Sequence, residues 1–427
     1  MSRLNDYKEV APKGSIDFLK RLADKLEGKG ILHINSTKLG GGVAEILNSL
    51  VPLFNDVGLR ARWEVISGNE EFFSITKAFH NALQGQEQRI PQGMLNTYLE
   101  VNRENAQRLS SDTDYVIIHD PQPAALIDNR SHKSKWIWRC HIDISRPQWK
   151  VWSFLRQFVV KYDAAIFSLP RFAQRLTIPQ FLIYPSIDPL SDKNRDLSRN
   201  EQAQIIRRLN IPMDKPILLQ VSRFDRFKDP LGVIQAYRLV KRHHDVQLVL
   251  AGGGAADDPE GDIVLAEVRE AAQNDPDLHI LLLPPDADLE INALQRAATI
   301  ILQKSLREGF GLTVAEAMWK GKPVIGGFTG GITVQLVYGV TGFTVNSVEG
   351  AAFRIHYLLD NPEMLSKMGA DAKEYVRRNF LITRHLGDYL ALMNFWGRQK
   401  RTVKTFMKNK KTYRTTEVTE DNPERSQ

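Results

Sequence analysis

Short runs of consecutive apolar residues recur along the chain, each followed by a turn and then by helical spacing. They fall at 31–35, 115–119, 136–140, 164–168, 217–221, 246–251, 299–302 and 323–325. A strand buried on both faces loses its in–out alternation and reads as an unbroken apolar run. Such strands alternating with helices build parallel α/β sheets. The pattern occurs twice. One set ends near Tyr184-Pro185-Ser186 and the second opens at Lys215-Pro216-Ile217, with the polar stretch SIDPLSDKNRDLSRNEQ between them and a helix expected to about Asn210. The expected fold is α/β, with two Rossmann-like, doubly wound domains facing each other across a cleft. The expected boundaries are 1–187 and 188–380, then a helix over 381–400 crossing back to the first domain, and a basic-then-acidic, disordered tail over 401–427.

Composition narrows the class. At 427 residues the chain exceeds one ordinary core, which supports the two-domain reading. No apolar run approaches the roughly 18–20 residues of a membrane helix, and the N-terminal MSRLNDYKEVAPKGS has no signal-peptide core. The single cysteine, Cys140, excludes an internal disulfide and fits a reducing cytoplasm, the expected location. It is expected to lie inert and buried in its strand. The ten histidines show no metal-ligand spacing, so no metal and no other cofactor is expected. The net charge of +7 is concentrated in residues 398–414, which hold eight Lys/Arg and no acid. The body is therefore nearly neutral, and the tail lacks the aromatic interleaving of a stacking surface, so neither nucleic acid nor membrane is expected as a partner.

Candidate chemistry gathers at expected strand ends, where open α/β sheets bind ligands. Arg307-Glu308-Gly309-Phe310-Gly311-Leu312-Thr313-Val314-Ala315-Glu316 places two carboxylates around a turn that feeds a helix over 312–319, closed by Gly321. The amides of Gly311, Leu312 and Thr313 would be open donors at a positive helix end, an anion site. Carboxylates beside such a site make sense if they bind hydroxyl groups, and a sugar nucleotide supplies both kinds of group. A solvated Glu308 and an ordinary first-turn Glu316 are the bland alternative. The glycines Gly40, Gly41 and Gly42, between the first strand and its helix, would let backbone approach a ligand, or simply make a flexible turn. In Ser222-Arg223-Phe224-Asp225-Arg226-Phe227-Lys228-Asp229-Pro230, Arg223 and Lys228 suit a diphosphate, or else pair with Asp225 or Asp229. In Trp138-Arg139-Cys140-His141-Ile142-Asp143, His141 is either a ligand-facing or a core histidine, and Asp143 a contact or a cap.

With these residues in hand, the second half resembles retaining GT-B nucleotide-sugar glycosyltransferases of family 4, through Ser222, Arg223 and Lys228 and through EGFGLTVAE with Glu308 and Glu316. The first half, with HINSTKLGGGVAEILNSLVPLFNDVGLRARWEVISGNEEFFSITKAFHNALQG and IWRCHIDIS, is similar to the trehalose glycosyltransferring synthases. SRFDRFKDP, DDPEG, NALQRA and REGFGLTVAEAMWKGKPVIG continue the likeness, which covers roughly 15–395. Gly326-Gly327-Phe328-Thr329 departs from it, standing where those synthases carry a basic residue.

The resemblance implies a retaining, metal-independent transfer of glucose from a UDP-, ADP- or GDP-glucose to glucose, forming trehalose. It implies that Arg223 and Lys228 neutralise the leaving diphosphate, Glu308 holds hydroxyls of the transferring glucose and Glu316 holds the ribose. Gly40–Gly42 and the backbone at Gly330, Gly331 and Ile332 would approach the donor phosphates. His141 would lie beside the glucosyl group. Acceptor glucose would lie near Glu45, Trp63, Asp120, Gln122, Arg139 and Asp143. The likeness also suggests a homodimer. Trehalose phosphorylases of the same fold are the near rival, and a sugar- or nucleotide-binding regulator without catalysis is the rival from another class.

Overall fold

The computed structural model describes residues 2–38, 41–131, 133–253 and 259–396. Gly40 and the tail over 401–427 lie outside the described residues. Two parallel six-stranded sheets form the frame. The first contains β1 (Gly30–Asn35), β2 (Arg60–Val65), β3 (Tyr115–His119), β4 (Lys135–Cys140), β5 (Ala164–Phe167) and β6 (Gln180–Leu182), in the order β2-β1-β3-β4-β5-β6. The second contains β7 (Ile217–Val221), β8 (Gln247–Gly252), β9 (Leu278–Leu282), β10 (Ile300–Gln303), β11 (Val324–Gly327) and β12 (Gly342–Val345), in the order β12-β11-β10-β7-β8-β9.

The unbroken apolar runs have a direct structural cause. In β1, Leu32 and Ile34 enter the core on one face while Ile31 enters the core on the other. In β7, Leu219 and Val221 likewise oppose Leu218. Helices cover both faces, so neither set of side chains meets water. The edge strands differ, since β2 and β6 alternate toward solvent and β9 is buried only in part.

The chain crosses between the sheets twice, and the crossings are tied together. Ile187 N–H donates to Phe380 O at 2.9 Å, and Ile382 N–H donates to Ile187 O at 2.9 Å. From there a helix over 382–396 lies on the first domain. Its Leu386, Leu390 and Met393 join the core of Ile31, Ile117 and Ile166. Tyr115 Oη donates to Met393 O at 3.3 Å, and Asn394 Nδ2 to Leu22 O at 2.9 Å. Cys140 is fully buried, and that burial raises its thiol pKa well above the ordinary value.

Because Leu386 is fully buried in this contact, Leu386→Ala should cost about 2–5 kcal/mol. Leu282→Ala, on the half-exposed edge strand, should change stability by no more than about 0.5 kcal/mol. Urea titration followed by circular dichroism compares the two.

Candidate active site

Loops after β2, β3, β4 and β5 of the first sheet, and after β7, β10 and β11 of the second, surround one cavity of about 900 Å³. Lys77, Arg146, Arg171, Arg223, Lys228 and Arg307 line it, against the acidic Asp143, Asp225 and Glu308. Six cations to three carboxylates give a positive field in a concave site, which favours an anionic ligand.

The Arg223–Asp229 segment is shaped by its own carboxylates. Asp225 Oδ1 accepts from Lys228 N at 3.1 Å and closes a single 3₁₀ turn, while Asp225 Oδ2 accepts from Arg223 Nη2 at 3.2 Å. Asp229, at φ +52°, caps the helix Pro230–Lys241 and pairs with Lys304. The Lys228 side chain is thereby directed to Glu308, with Nζ 2.7 Å from Oε2. Ser305 Oγ adds a hydrogen bond of 3.2 Å to the same oxygen. Arg223, Lys228 and Glu308 thus line one wall.

Beyond Glu308 the backbone turns through Gly311, at φ +80°, into the helix Leu312–Trp319. Gln335 Nε2 fixes the turn by donating to Phe310 O at 2.6 Å. Gly330 packs so closely that a Cβ would lie 1.7 Å from Glu308 O. The expectation for Gly331 needs correction, because its amide already donates to Gly309 O at 2.9 Å. The glycine run after β1 also differs from the expected loop. The helix Gly41–Asp56 starts within it, at Gly41 with φ +79°. A Cβ on Gly42 would come within 2.9 Å of Leu312 Cδ1, so two helix N-termini, one from each domain, meet across the cleft.

The residues expected near an acceptor separate. Gln122 and Asp143 line the cavity, and Asp143 Oδ1 also caps the turn at Ser145 N, 2.9 Å away. Arg139 does not reach it. Its side chain is 0% exposed and donates to Ile183 O at 2.7 Å and Ser168 Oγ at 3.3 Å, so it belongs to the core. Trp63 lies on the edge strand β2, with Nε1 bonded to Asn35 Oδ1 at 2.7 Å, and does not line the cavity. Glu45 sits instead with Glu316, the expected ribose ligand. Burial, reinforced by Glu316, pushes the Glu45 carboxyl up to about 7, while Lys193, 2.8 Å away, opposes the shift. Glu316 is 2% exposed and accepts from Gln295 Nε2 at 3.3 Å.

Asp120 is a hinge of the site rather than a wall of it. At φ +64° it turns the chain after β3, and its Oδ1 accepts from His141 N at 2.7 Å. Burial pushes its carboxyl up to about 6, although the His141 amide and Arg139 oppose the shift. His141 is half-buried, and Nε2 of its ring lies 2.9 Å from His119 Nδ1.

Sequence reasoning missed one whole face. Phe73, Thr76, Lys77, His80, Asn81 and Gln84, along the helix Glu70–Leu83 and just past its end, line the first-domain side of the cavity. Their helical spacing is legible, but a polar stripe reads by default as a solvated surface. Arg307, which stacks 5.5 Å over Phe227 and donates to Gln84 O, joins the two walls.

Comparison with known proteins accords with this geometry. Residues 33–174 match the family described as trehalose synthase, N-terminal domain, and residues 201–375 match glycosyl transferases group 1. A trehalose synthase of Pyrococcus horikoshii is 50% identical over 402 residues, covering 92% of this chain and 97% of its own. The chain belongs to the trehalose synthase family of GT-B glycosyltransferases. Another member, from Rubrobacter xylanophilus, is 43% identical and covers 91% of this chain and 96% of its own. A trehalose phosphorylase of Pleurotus pulmonarius is more distant, at 28% identity over 87% of this chain and 58% of its own. The fold is also that of a sucrose-phosphate synthase from Thermosynechococcus elongatus, with TM-score 0.67, 18% identity, and coverage of 88% of this chain and 100% of that one. A UDP-forming α,α-trehalose-phosphate synthase from Burkholderia xenovorans gives TM-score 0.69 at 14% identity, covering 86% and 100%.

The Asp120 carboxyl gives a pH test. Its folded pKa, about 6, lies above the ordinary 3.8, so its contribution to stability is fully present below 3.8 and is lost as pH rises through 6. Asp120→Asn keeps the acceptor oxygen and removes the charge. Its thermal stability relative to wild type should therefore rise between pH 4 and pH 8, by on the order of 2–3 kcal/mol. A difference independent of pH would contradict the assignment.

Proposed function

We propose that this family member is a retaining glucosyltransferase that moves glucose from a nucleoside-diphosphate glucose to free glucose, forming trehalose. The observation that carries the reading is the cation-lined cleft, where Arg223 and Lys228 stand beside Glu308 and two helix N-termini meet. Cleaving a sugar–diphosphate bond builds negative charge on the diphosphate as the sugar becomes oxocarbenium-like, and preorganised cations and helix-end amides are suited to that charge. The relatives named trehalose synthases support the product, and the UDP-forming neighbour supports a nucleotide donor.

In this reading Lys228 leaves Glu308 for the diphosphate, joining Arg223. Glu308 then accepts hydrogen bonds from hydroxyls of the transferring glucose, and Glu316 those of the ribose. Gln122 and Asp143 face the acceptor. The acceptor hydroxyl oxygen bonds to C1 on the face the diphosphate leaves. The C1–O bond to phosphate breaks with its electron pair, and the hydroxyl proton passes to a phosphate oxygen. Protein cations carry the charge, so the reaction calls for no metal.

Product analysis by NMR tests the proposal, using glucose with UDP-, ADP- or GDP-glucose in separate tubes and glucose 1-phosphate in another. The expected product is an α,α-linked non-reducing disaccharide in a nucleotide tube, with the diphosphate released. Formation only from glucose 1-phosphate, with release of phosphate, would move the assignment to phosphorylase. Arg223→Ala and Lys228→Ala should each lower kcat about 10²–10³-fold while the circular dichroism spectrum is retained. Near-wild-type turnover in both would remove the leaving-group role.

A further inference from the structure

Three imidazoles run in file from the core of the first sheet to the cleft. His33, in the middle of β1, has Nδ1 3.0 Å from His119 Nε2, and His119 Nδ1 is 2.9 Å from His141 Nε2. Successive rings stack with centroids 5.3 and 5.2 Å apart. His33 and His119 are buried, while half-buried His141 lies against Gly309, whose Cβ position is 3.3 Å from His141 O. The file ends at His33 Nε2, which is buried with no hydrogen-bond partner among the described residues. Its ring is packed by Phe54 and Tyr389.

Burial holds all three rings neutral. It pushes His33 down to about 3 and keeps His119 and His141 well below the ordinary histidine value, with the buried Arg139 lowering the last two further. A neutral imidazole carries one N–H and one lone pair. Three rings therefore hold three protons, and the two shared hydrogen bonds use two. The third must sit at one end of the file. On His33 Nε2 it would be a buried donor with no acceptor, the less tolerated kind of orphan. At the other end it occupies His141 Nδ1, the ring nitrogen that His119 leaves free.

We propose that His33 and His119 are positioning residues that lock His141 as the Nδ1–H tautomer, so that it offers a donor, and no lone pair, to an oxygen of the transferring sugar. The proposal rests on the glucosyltransferase reading for the identity of that oxygen. It excludes His141 as a general base and leaves the acceptor proton to the phosphate.

Long-range ¹H–¹⁵N NMR of the full chain labelled with ¹⁵N-histidine reads the tautomer directly, with His141 signals identified by their loss in His141→Asn. The expected spectrum shows His141 with Nδ1 protonated and Nε2 unprotonated. Protonation at Nε2 instead would overturn the proposal, whether or not the protein makes trehalose, so this test stands apart from the assignment of the reaction. In His119→Phe the His141 tautomer should switch, and kcat should fall about tenfold, the loss of roughly one hydrogen bond in the transition state, with donor KM within about twofold. A folded His119→Phe protein with a switched tautomer and wild-type kcat would remove the positioning role. The wild-type spectrum decides the tautomer even if that variant does not fold.

Discussion

The hydrogen bonds that join Ile187 to Phe380 and Ile382 hold together the two points where the chain passes between its domains. A parallel sheet presents all its strand carboxyl ends on one side, so each domain has a single loop-rich face. The paired crossings and the helix over 382–396, which returns to the first core, hold the second domain against the first. The loops of both sheets then line one cavity. Arg307, bonded to Gln84 and stacked on Phe227, is a contact across it.

Charge in the cleft is arranged with economy of carboxylates. Asp225 and Asp229 spend their oxygens on backbone amides and nearby cations, which shapes the loop and aims Lys228. Glu308 is the carboxylate that holds Lys228 in this state. On the first-domain side lies the opposite condition, a region where Arg139 is buried beside neutral histidines. Its charge makes imidazolium in that region still less favourable, so the histidine file is a hydrogen-bonding device and not a reservoir of charge.

Strands that read clearly from sequence were those with neighbours on both sides. The four that gave no clear apolar run, β2, β6, β9 and β12, are the four sheet edges. An edge strand has one open flank, and β2, β6 and β9 keep partial exposure, so their composition drifts toward that of a loop, whereas β12 is mostly buried but only four residues long. The helix Leu312–Trp319 was legible in full because Gly311 and Gly321 punctuate it, both at positive φ. Arg139 was misread as ligand-facing because an Arg at a strand end gives no local sign that its guanidinium folds back to Ile183 O.

The sequence alone determined the two parallel α/β sheets and marked Arg223, Lys228 and Glu308 as loop residues past strand ends, because these depend on local periodicity and on neighbours a few positions apart. Only the tertiary structure decided which polar residues share a space. It placed the stripe from Phe73 to Gln84 on the cleft, moved Glu45 beside Glu316, and lined up His33, His119 and His141. Those residues lie on different strands, helices and domains, and no local pattern encodes their meeting. It follows from the register of parallel strands and the docking of one sheet against the other.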